Sequence, residues 1–196
     1  MELQAGVVAV QGNVSEHAEA VKQAAKQNGH TITVETIRTS GIIPECDLLL
    51  IPGGESTTIS RLIHREGLAE EIKQHVADGK PVLATCAGLI VLAADPNDER
   101  VDSLGLVDVS VERNAFGRQK DSFEAALDID GLDEPFHAVF IRAPVVANVG
   151  DGIDVLAQVN DTPVAVQDGP VIATSFHPEL TDDSRIHNLA FFGTDK

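Results

Sequence analysis

The 196-residue chain contains no tryptophan, no tyrosine and only two cysteines, Cys46 and Cys86. Two cysteines cannot form the disulfide framework of a small secreted protein, which favours a reducing cytoplasm. The apolar runs are too short to span a bilayer. Residues 2–4 lead straight into a strand-like run without the basic segment of a signal peptide. We therefore expect a cytoplasmic protein that does not bind membranes.

Basic residues are also few. Fourteen lysines and arginines stand against 31 aspartates and glutamates, which gives a formal net charge of −17 at pH 7. Such a surface repels nucleic acids and anionic membranes, so neither is an expected partner. The acids are spread along the chain rather than gathered in a tail. We interpret this composition as an adaptation to high salt, where screening removes the self-repulsion of the surface.

Buried-looking strands alternate with helical segments in the first half of the chain, which predicts parallel strands covered on both faces. Strands are predicted at 5–10, 31–37, 46–51, 81–84 and 171–174, and helices at 15–28, 62–78 with a break near 67, 87–94 and 186–192. Shorter strands at 105–111, 125–129, 138–141, 154–159 and 163–167 predict an antiparallel extension. We expect a single domain, 1–196, with an α/β fold: a doubly wound, mostly parallel sheet with helices on both faces.

Cys86 stands between a predicted strand and a predicted helix, in the sequence Ala-Thr-Cys-Ala-Gly. This pattern is typical of a nucleophile elbow, in which small residues two before and two after the nucleophile let a strained turn close. The turn places the sulfur at a helix N-terminus, which favours thiolate over thiol. A lone cysteine at the end of a core strand is, however, more often a small buried residue.

A base for Cys86 is predicted ninety residues further along the chain. His177 and Glu179 follow another buried-looking strand, at 171–174. Histidine has the pKa range of a general base, and a carboxylate on its second ring nitrogen would hold the tautomer and stabilise the imidazolium. Each residue alone would be an ordinary turn or surface residue. Together, in the order Cys, His, Glu, they predict a catalytic triad.

A glycine pair at Gly53 and Gly54 follows the third predicted strand. Paired glycines permit backbone conformations in which N–H groups face a ligand. The backbone N–H groups of Gly54 and Ala87 are the predicted donors to an oxyanion. Ser56, Thr57 or Thr58 could cap the helix that follows. The alternative for the glycine pair is an ordinary strand-to-helix turn.

Four other residues need an interpretation. Cys46 lies between two acids, so we expect a raised pKa and a structural role. The histidines show no metal-ligand spacing, and no metal site is predicted. His17 could approach the cleft from the first helix, but we assign it to the helix surface. Arg113 and Arg142 are candidate clamps for a substrate carboxylate in this acidic chain, or else surface arginines.

Six motifs occur together and resemble those of one family. They are Gly-Gly-Glu-Ser-Thr-Thr at 53–58, Thr-Cys-Ala-Gly-Leu-Ile at 85–90, Val-Glu-Arg-Asn at 111–114, Phe-Gly-Arg-Gln at 116–119, Phe-Ile-Arg-Ala-Pro at 140–144 and Ser-Phe-His-Pro-Glu-Leu-Thr at 175–181. The chain resembles the glutaminase subunit of pyridoxal 5′-phosphate synthase, a class I glutamine amidotransferase. The triad alone would indicate only the broader amidotransferase class.

The resemblance implies an enzyme without a cofactor that hydrolyses L-glutamine and channels the ammonia to a synthase subunit. It implies that Cys86 is the nucleophile and that His177 and Glu179 complete the triad. The residues implied to contact glutamine are Gly54, Glu55, Ser56, Arg113, Ile141 and Arg142. One departure is Asn13, where acidic or small residues are common in the family; we expect it to lie away from the site.

Two rival functions remain open at this point. A cysteine hydrolase of the same architecture would act on another substrate, although Glu55, Ser56 and Arg113 suit the ammonium and carboxylate of an amino acid. A regulatory or scaffold subunit would carry a vestigial triad, which the intact Cys86, His177 and Glu179 disfavour. Release of product from L-glutamine but not from simple esters separates the first rival. Labelling by a glutamine-analogue electrophile separates the second.

The acidic composition predicts a fold whose stability depends on salt. The free energy of unfolding, measured by urea titration, should rise from low salt to molar KCl because screening weakens repulsion among the carboxylates. Urea is the suitable denaturant because it adds no ions. Equal stability at both salt concentrations would contradict the interpretation.

Overall fold

The computed structural model describes residues 2–113 and 122–193. The helices are α1 (Val14–Gln27), α2 (Ser56–Arg65), α3 (Leu68–Ala77), α4 (Ala87–Leu92) and α5 (Arg185–Phe192). The strands are β1 (Glu2–Val8), β2 (Thr31–Ile37), β3 (Leu48–Ile51), β4 (Val82–Thr85), β5 (Ala93–Asp95), β6 (Val107–Glu112), β7 (Ser122–Leu127), β8 (Phe136–Ile141), β9 (Val145–Val149), β10 (Asp154–Val159), β11 (Thr162–Asp168) and β12 (Val171–Thr174). Short 3₁₀ turns cover Ile43–Glu45 and Pro178–Leu180.

Within the described ranges, seven strands form the main sheet, in the order β10-β11-β12-β4-β3-β1-β2. The strands from β12 to β2 pair in parallel, whereas β10 and β11 continue the sheet in antiparallel pairing. A smaller sheet has the order β5-β6-β9, and β7 and β8 form an antiparallel pair. The predicted fold class, a mostly parallel α/β sheet with an antiparallel extension, is confirmed.

The main sheet separates two hydrophobic cores. Successive residues of β3 point to opposite faces: Leu49 and Ile51 join one core, and Leu48 and Leu50 join the other. Helices α2, α3 and α4 cover the first core, and α1 and α5 cover the second. The central strands are apolar along their whole length because both faces are buried, and this is why they lack polar alternation.

Several element boundaries differ from the sequence-based prediction. Helix α2 begins at Ser56 rather than near 62, because a carboxylate cap starts it early. Strands β5 and β9 were not predicted. In β9 two buried residues precede two exposed ones, without alternation, and the strand exists through pairing with the distant β6. The motif at 116–119 lies outside the described residues. No helix in the described ranges is long and apolar enough to cross a membrane.

The register of the parallel strands brings the proposed active-site segments to one edge of the sheet. Thr85 at the end of β4 pairs with Thr174 at the end of β12, and Ile51 at the end of β3 pairs with Ala84. The chain therefore leaves all three strands at nearly the same level. In an open α/β sheet this carboxyl-end edge is where ligands bind.

Candidate active site

Cys86 occupies a sharp turn between β4 and α4. Its backbone has φ 52° and ψ −107°, a conformation that a non-glycine residue adopts at a cost of about 1–3 kcal/mol. The surrounding sheet holds it there, since the Cys86 N–H donates to the Thr174 carbonyl at 2.8 Å. A Cβ on Gly88 would lie 2.3 Å from the Ile51 carbonyl oxygen, so only glycine fits at that position. The structure thus has the strand, turn and helix that the sequence predicts.

His177 and Glu179 stand beside this turn, immediately after β12. The His177 Nδ1 lies 2.7 Å from Glu179 Oε1, and the Glu179 side chain is fully buried. The backbone N–H of His177 donates to the Val139 carbonyl of β8 at 2.9 Å, which fixes the loop. A Cβ built on Gly53 would lie 2.9 Å from His177 Cε1 and 3.2 Å from Cys86 Cβ. His177, Cys86 and the glycine loop are therefore immediate neighbours.

The electrostatics of this group favour an ionised histidine and carboxylate. Burial opposes the imidazolium, but hydrogen bonds and charge interactions with Cys86 and Glu179 outweigh it and raise the pKa of His177 to about 10. Burial also opposes the carboxylate, but the hydrogen bond from His177 and further polar neighbours lower the pKa of Glu179 to about 2. His177 is thus basic enough to keep a proton taken from a thiol.

The carboxylate of Glu179 has two more polar neighbours, which the sequence analysis misplaced. Asn13 Nδ2 donates to Glu179 Oε1 at 3.0 Å, so the expectation that this position lies away from the site is wrong. His17 is fully buried, with its Nε2 3.4 Å from Glu179 Oε2 and 3.1 Å from Thr85 Oγ1. Its assignment to the helix surface is therefore wrong as well. Helix α1 begins at Val14 with Asn13 in the cap position, so Ser15, a residue type that often caps helices, lies inside it.

A second buried histidine lies behind the first. His187 of α5 is fully buried, and its Nε2 lies 3.0 Å from His17 Nδ1. Its other ring nitrogen, Nδ1, has no hydrogen-bond partner among the described residues. Buried N–H groups without an acceptor are rarer in proteins than acceptors without a donor. We therefore assign the His187 proton to Nε2, where it can be donated to His17 Nδ1, and the His17 proton to Nε2, facing Glu179.

The glycine loop is held by the segment that follows β1. The Gln11 Oε1 accepts from the Glu55 N–H at 2.5 Å, and a Cβ on Gly12 would lie 2.2 Å from the Gly53 carbonyl oxygen. Gly54 has φ +140°, a conformation that favours glycine. The close contact between the loop and the segment 11–13 therefore requires glycine in both, at Gly54 and at Gly12.

The structure gives Glu55 a local role. Its carboxylate accepts from the backbone N–H groups of Thr57 at 3.1 Å and Thr58 at 2.7 Å, so Glu55 caps α2. The predicted caps within 56–58 are wrong for this reason. Hydrogen bonding, first from the Thr57 side chain, lowers the pKa of Glu55 to about 2. Its carboxylate is exposed and ionised at the entrance of the loop.

Arg113 and Ser56 come together, although they are far apart in the sequence. Arg113 Nη2 donates to Ser56 Oγ, and Nη1 lies 2.9 Å from Asp98 Oδ2. Two of the residues implied to contact glutamine are thus brought together, and an acid that was not predicted holds the guanidinium. Asp98 lies shortly after β5, a strand that was not predicted, so the local sequence gave no indication that it contacts Arg113.

Ile141 and Arg142 lie at the end of β8, facing the cysteine turn. The Ile141 carbonyl oxygen is 3.9 Å from Cys86 Sγ, and its side chain is 40% exposed. Arg142 is exposed and has φ 45°, which is unusual for a non-glycine residue. The strained turn places the Ile141 main chain against the sulfur.

The family model of the SNO glutamine amidotransferase family matches residues 7–193. The chain belongs to this family. The Halorubrum lacusprofundi protein named pyridoxal 5′-phosphate synthase subunit PdxT is 70% identical over 190 residues, which are 97% of this chain and 96% of that protein. The protein of the same name from Haloarcula marismortui is 67% identical over 192 residues, 98% of each chain.

A solved structure agrees with this assignment. The crystal structure described as that of a glutamine amidotransferase superposes with a TM-score of 0.84 and 44% identity, covering 95% of this chain and 96% of the other. The resemblance drawn from the sequence motifs is confirmed, and so is the expectation that this glutamine amidotransferase is a glutaminase subunit of pyridoxal 5′-phosphate synthesis.

The second cysteine of this amidotransferase lies elsewhere. Cys46 is fully buried before β3, and its thiol donates to the Ile42 carbonyl at 3.5 Å. Burial, more than its acidic neighbours, raises the pKa of Cys46 to about 11. The predicted direction is confirmed, but the predicted cause is secondary. Among the described residues no three His, Cys, Asp or Glu side chains are grouped so that they could hold a metal ion.

The buried His187 predicts acid sensitivity of the fold. Burial lowers its pKa from 6.5 to about 3. Between these values the unfolded chain binds a proton that the folded chain does not, so the free energy of unfolding falls as pH falls. The slope is up to about 1.4 kcal/mol per pH unit for one histidine. Urea titrations between pH 6 and 4 should show this slope, and His187→Leu should reduce it by about one proton's worth.

The slope of the unfolding free energy against pH depends on how many protons the unfolded chain binds in excess of the folded chain. It does not depend on how far the pKa of His187 is lowered, once the pH lies between the two pKa values. It is also independent of any stability that the substitution loses at pH 8. An unchanged slope in His187→Leu would show that His187 is charged, or exposed to water, in the folded chain.

Proposed function

We propose that this amidotransferase hydrolyses L-glutamine with Cys86 as nucleophile, His177 as general base and acid, and Glu179 as the carboxylate that orients His177. The observation that carries this proposal is the buried contact of His177 with Glu179 beside the strained Cys86 turn. A thiol, an imidazole and a carboxylate in this order are the groups that acyl transfer needs.

The reaction proceeds in two stages. His177 takes the Cys86 proton, and the sulfur attacks the side-chain carboxamide carbon of glutamine, so that a C–S bond forms. The C–N bond then breaks as the imidazolium returns the proton to the leaving nitrogen, which departs as ammonia. In the second stage His177 takes a proton from water, the hydroxide attacks the thioester, and glutamate leaves as the sulfur regains its proton.

The oxyanion of each tetrahedral intermediate needs N–H donors. We assign this role to the backbone N–H groups of Ala87, the first residue of α4, and Gly54. The position of the Gly53-Gly54 loop supports the assignment, since Gly53 lies against both His177 and Cys86. The loop also has the positive φ at Gly54 that lets a peptide turn at low cost.

The α-amino and α-carboxylate groups of glutamine require opposite charges. We assign the carboxylate to Arg113, with Ser56 beside it, and to Arg142, which is exposed directly after Ile141. Glu55 suits the ammonium, because capping α2 keeps it ionised while it stays exposed. The Ile141 main chain, next to the sulfur, suits the reacting end of the substrate. These charges favour an amino acid over the neutral esters of a general cysteine hydrolase.

We further propose that the chain works in the cytoplasm as a single domain, bound to a pyridoxal 5′-phosphate synthase subunit that receives the ammonia. The names of the curated relatives support this partner. The docking surface is proposed around the cleft mouth, at Gln11 to Glu16 and the Gly53 loop, whose outward residues are exposed. The sequence alone would extend this surface to His17, but His17 is fully buried and does not belong to it.

Replacement of the nucleophile tests the assignment of Cys86. Cys86→Ala should abolish glutaminase activity without unfolding the chain, because only one sulfur atom is removed. With the synthase partner present, added ammonium salt should still support pyridoxal 5′-phosphate formation. Cys46→Ala is the control and should stay active, since Cys46 lies in the core before β3. Undiminished glutamine hydrolysis by Cys86→Ala would refute the assignment.

Partner dependence is a second test. We expect the isolated chain to be a poor glutaminase that the synthase subunit activates about a hundredfold or more, the usual effect of gaining one oxyanion donor. Glutamate release is measured with and without the partner. Full activity of the chain alone would contradict this expectation.

Gly54→Ala should lose most of this activation, because a Cβ there would lie 2.6 Å from Gln11 Oε1 and the residue has φ +140°. Gly29→Ala is the matched control. It also has a positive φ, +71°, but a Cβ there meets no atom within 4 Å. Gly29→Ala should keep the activation, and equal losses in both variants would show that backbone strain alone is responsible.

A further inference from the structure

The buried histidine pair behind the triad has no part in the reaction steps above. His17 and His187 are both fully buried, and His17 Nδ1 contacts His187 Nε2 at 3.0 Å. The remaining nitrogen of His17 is directed at the triad carboxylate and at Thr85. Buried polar groups of this kind are costly, which calls for a compensating role.

The two carboxylate oxygens of Glu179 differ in their hydrogen bonding. Its first oxygen, Oε1, receives hydrogen bonds from His177 and Asn13. Its second oxygen, Oε2, is buried and has no hydrogen-bond partner among the described residues, but His17 Nε2 lies 3.4 Å from it. A buried anionic oxygen is stabilised by a nearby N–H dipole and destabilised by a nearby lone pair. The protonation of His17 Nε2 therefore decides whether Glu179 is held or repelled.

The contact between the two histidine rings indicates which nitrogen of His17 carries the proton. Because His187 Nδ1 has no acceptor, its proton belongs on Nε2, and His17 Nδ1 must accept it. His17 then carries its own proton on Nε2, between Thr85 Oγ1 and Glu179 Oε2. Burial lowers the pKa of both rings, which keeps the pair neutral and the tautomers fixed.

We propose that His17 is a positioning residue of the glutaminase: its neutral Nε2–H, set by His187 from behind, holds the Glu179 carboxylate in the orientation that His177 needs. This rests on the proposed function of Cys86, His177 and Glu179. His17 touches neither substrate nor sulfur and acts through Glu179 alone. Removing its N–H should therefore lower kcat and leave the KM for glutamine unchanged.

Two nearly isosteric amides test the N–H directly. The side-chain nitrogen of glutamine can take the place of histidine Nε2, whereas that of asparagine reaches only the place of Nδ1. His17→Gln should keep kcat within about threefold of wild type, whereas His17→Asn and His17→Leu should lose about tenfold or more, because the buried Oε2 then loses the N–H dipole of His17. The KM for glutamine should stay within about twofold in all three. Assays use the chain in complex with its synthase subunit.

A double-mutant cycle separates positioning from a general loss of structure. In a Glu179→Gln background the carboxylate is absent, so His17→Leu should cause little further loss of kcat. The active fraction of each variant is measured by titration with a glutamine-analogue electrophile, so that misfolded protein does not enter kcat. His75→Leu is the matched control: His75 is also a buried helical histidine, but it lies by the Pro81 carbonyl, and kcat should not change.

Equal kcat for His17→Asn and His17→Gln, or the same loss from His17→Leu with and without Glu179, would overturn the proposal. The wild-type assay separates this failure from failure of the proposed function. If the wild-type complex releases no glutamate from glutamine, the proposed function itself is wrong. If it does and the His17 variants behave alike, only the role of His17 is wrong.

Discussion

The active site depends on the parallel pairing of β4 with β3 on one side and β12 on the other. All four residues of β4 are buried, and both neighbours fix where the strand ends. The chain can then leave the sheet only by turning sharply, and Cys86 takes the positive φ that this requires. The bond from its N–H to the Thr174 carbonyl ties the strained residue to the neighbouring strand. The sheet thus supplies the free energy that Cys86 costs in this conformation.

A buried carboxylate is the second demand that the fold must meet. Glu179 remains ionised in an apolar surrounding, which requires donors around it. These come from His177 in its own loop and from Asn13 at the start of α1, with His17 one turn further along. The proposed triad therefore depends on packing between the start of α1 and the 3₁₀ turn at Pro178–Leu180.

The sequence predicted those features that are recorded in local pattern. The apolar strands, the small residues around Cys86 and the His177-Glu179 pair all follow from a few consecutive residues, and the structure places them together. The predicted cap of α2 was wrong because cap preferences favour Ser and Thr, whereas here the longer carboxylate of Glu55 reaches two N–H groups. Strand β9 was missed because its pairing with β6 lies outside any local window.

His17 was misplaced for a similar reason. The nearby Ser15, Glu16 and Glu19 are exposed, so the local sequence is typical of a helix surface. Its burial comes from α5, whose His187 stands 170 residues further along the chain. One signal was available: Asn13 and His17 are four residues apart, so they share one face of a helix that starts at the carboxyl end of β1. The carboxyl ends of parallel strands lie at one edge of the sheet, which is why Cys86 and His177 were expected to be neighbours. The same rule would have placed this helix face at the cleft.

The segment after β1 consequently has two sides with different tasks. Gln11, Ser15 and Glu16 are exposed at the cleft mouth, where the synthase subunit is proposed to dock, whereas Asn13 and His17 point inward to Glu179. Gln11 also holds the glycine loop through the Glu55 N–H. A partner bound to the outer side would therefore act on a segment that contacts both the glycine loop and Glu179. With the proposed docking surface and triad, this one stretch of chain would join docking to catalysis without a longer path through the fold.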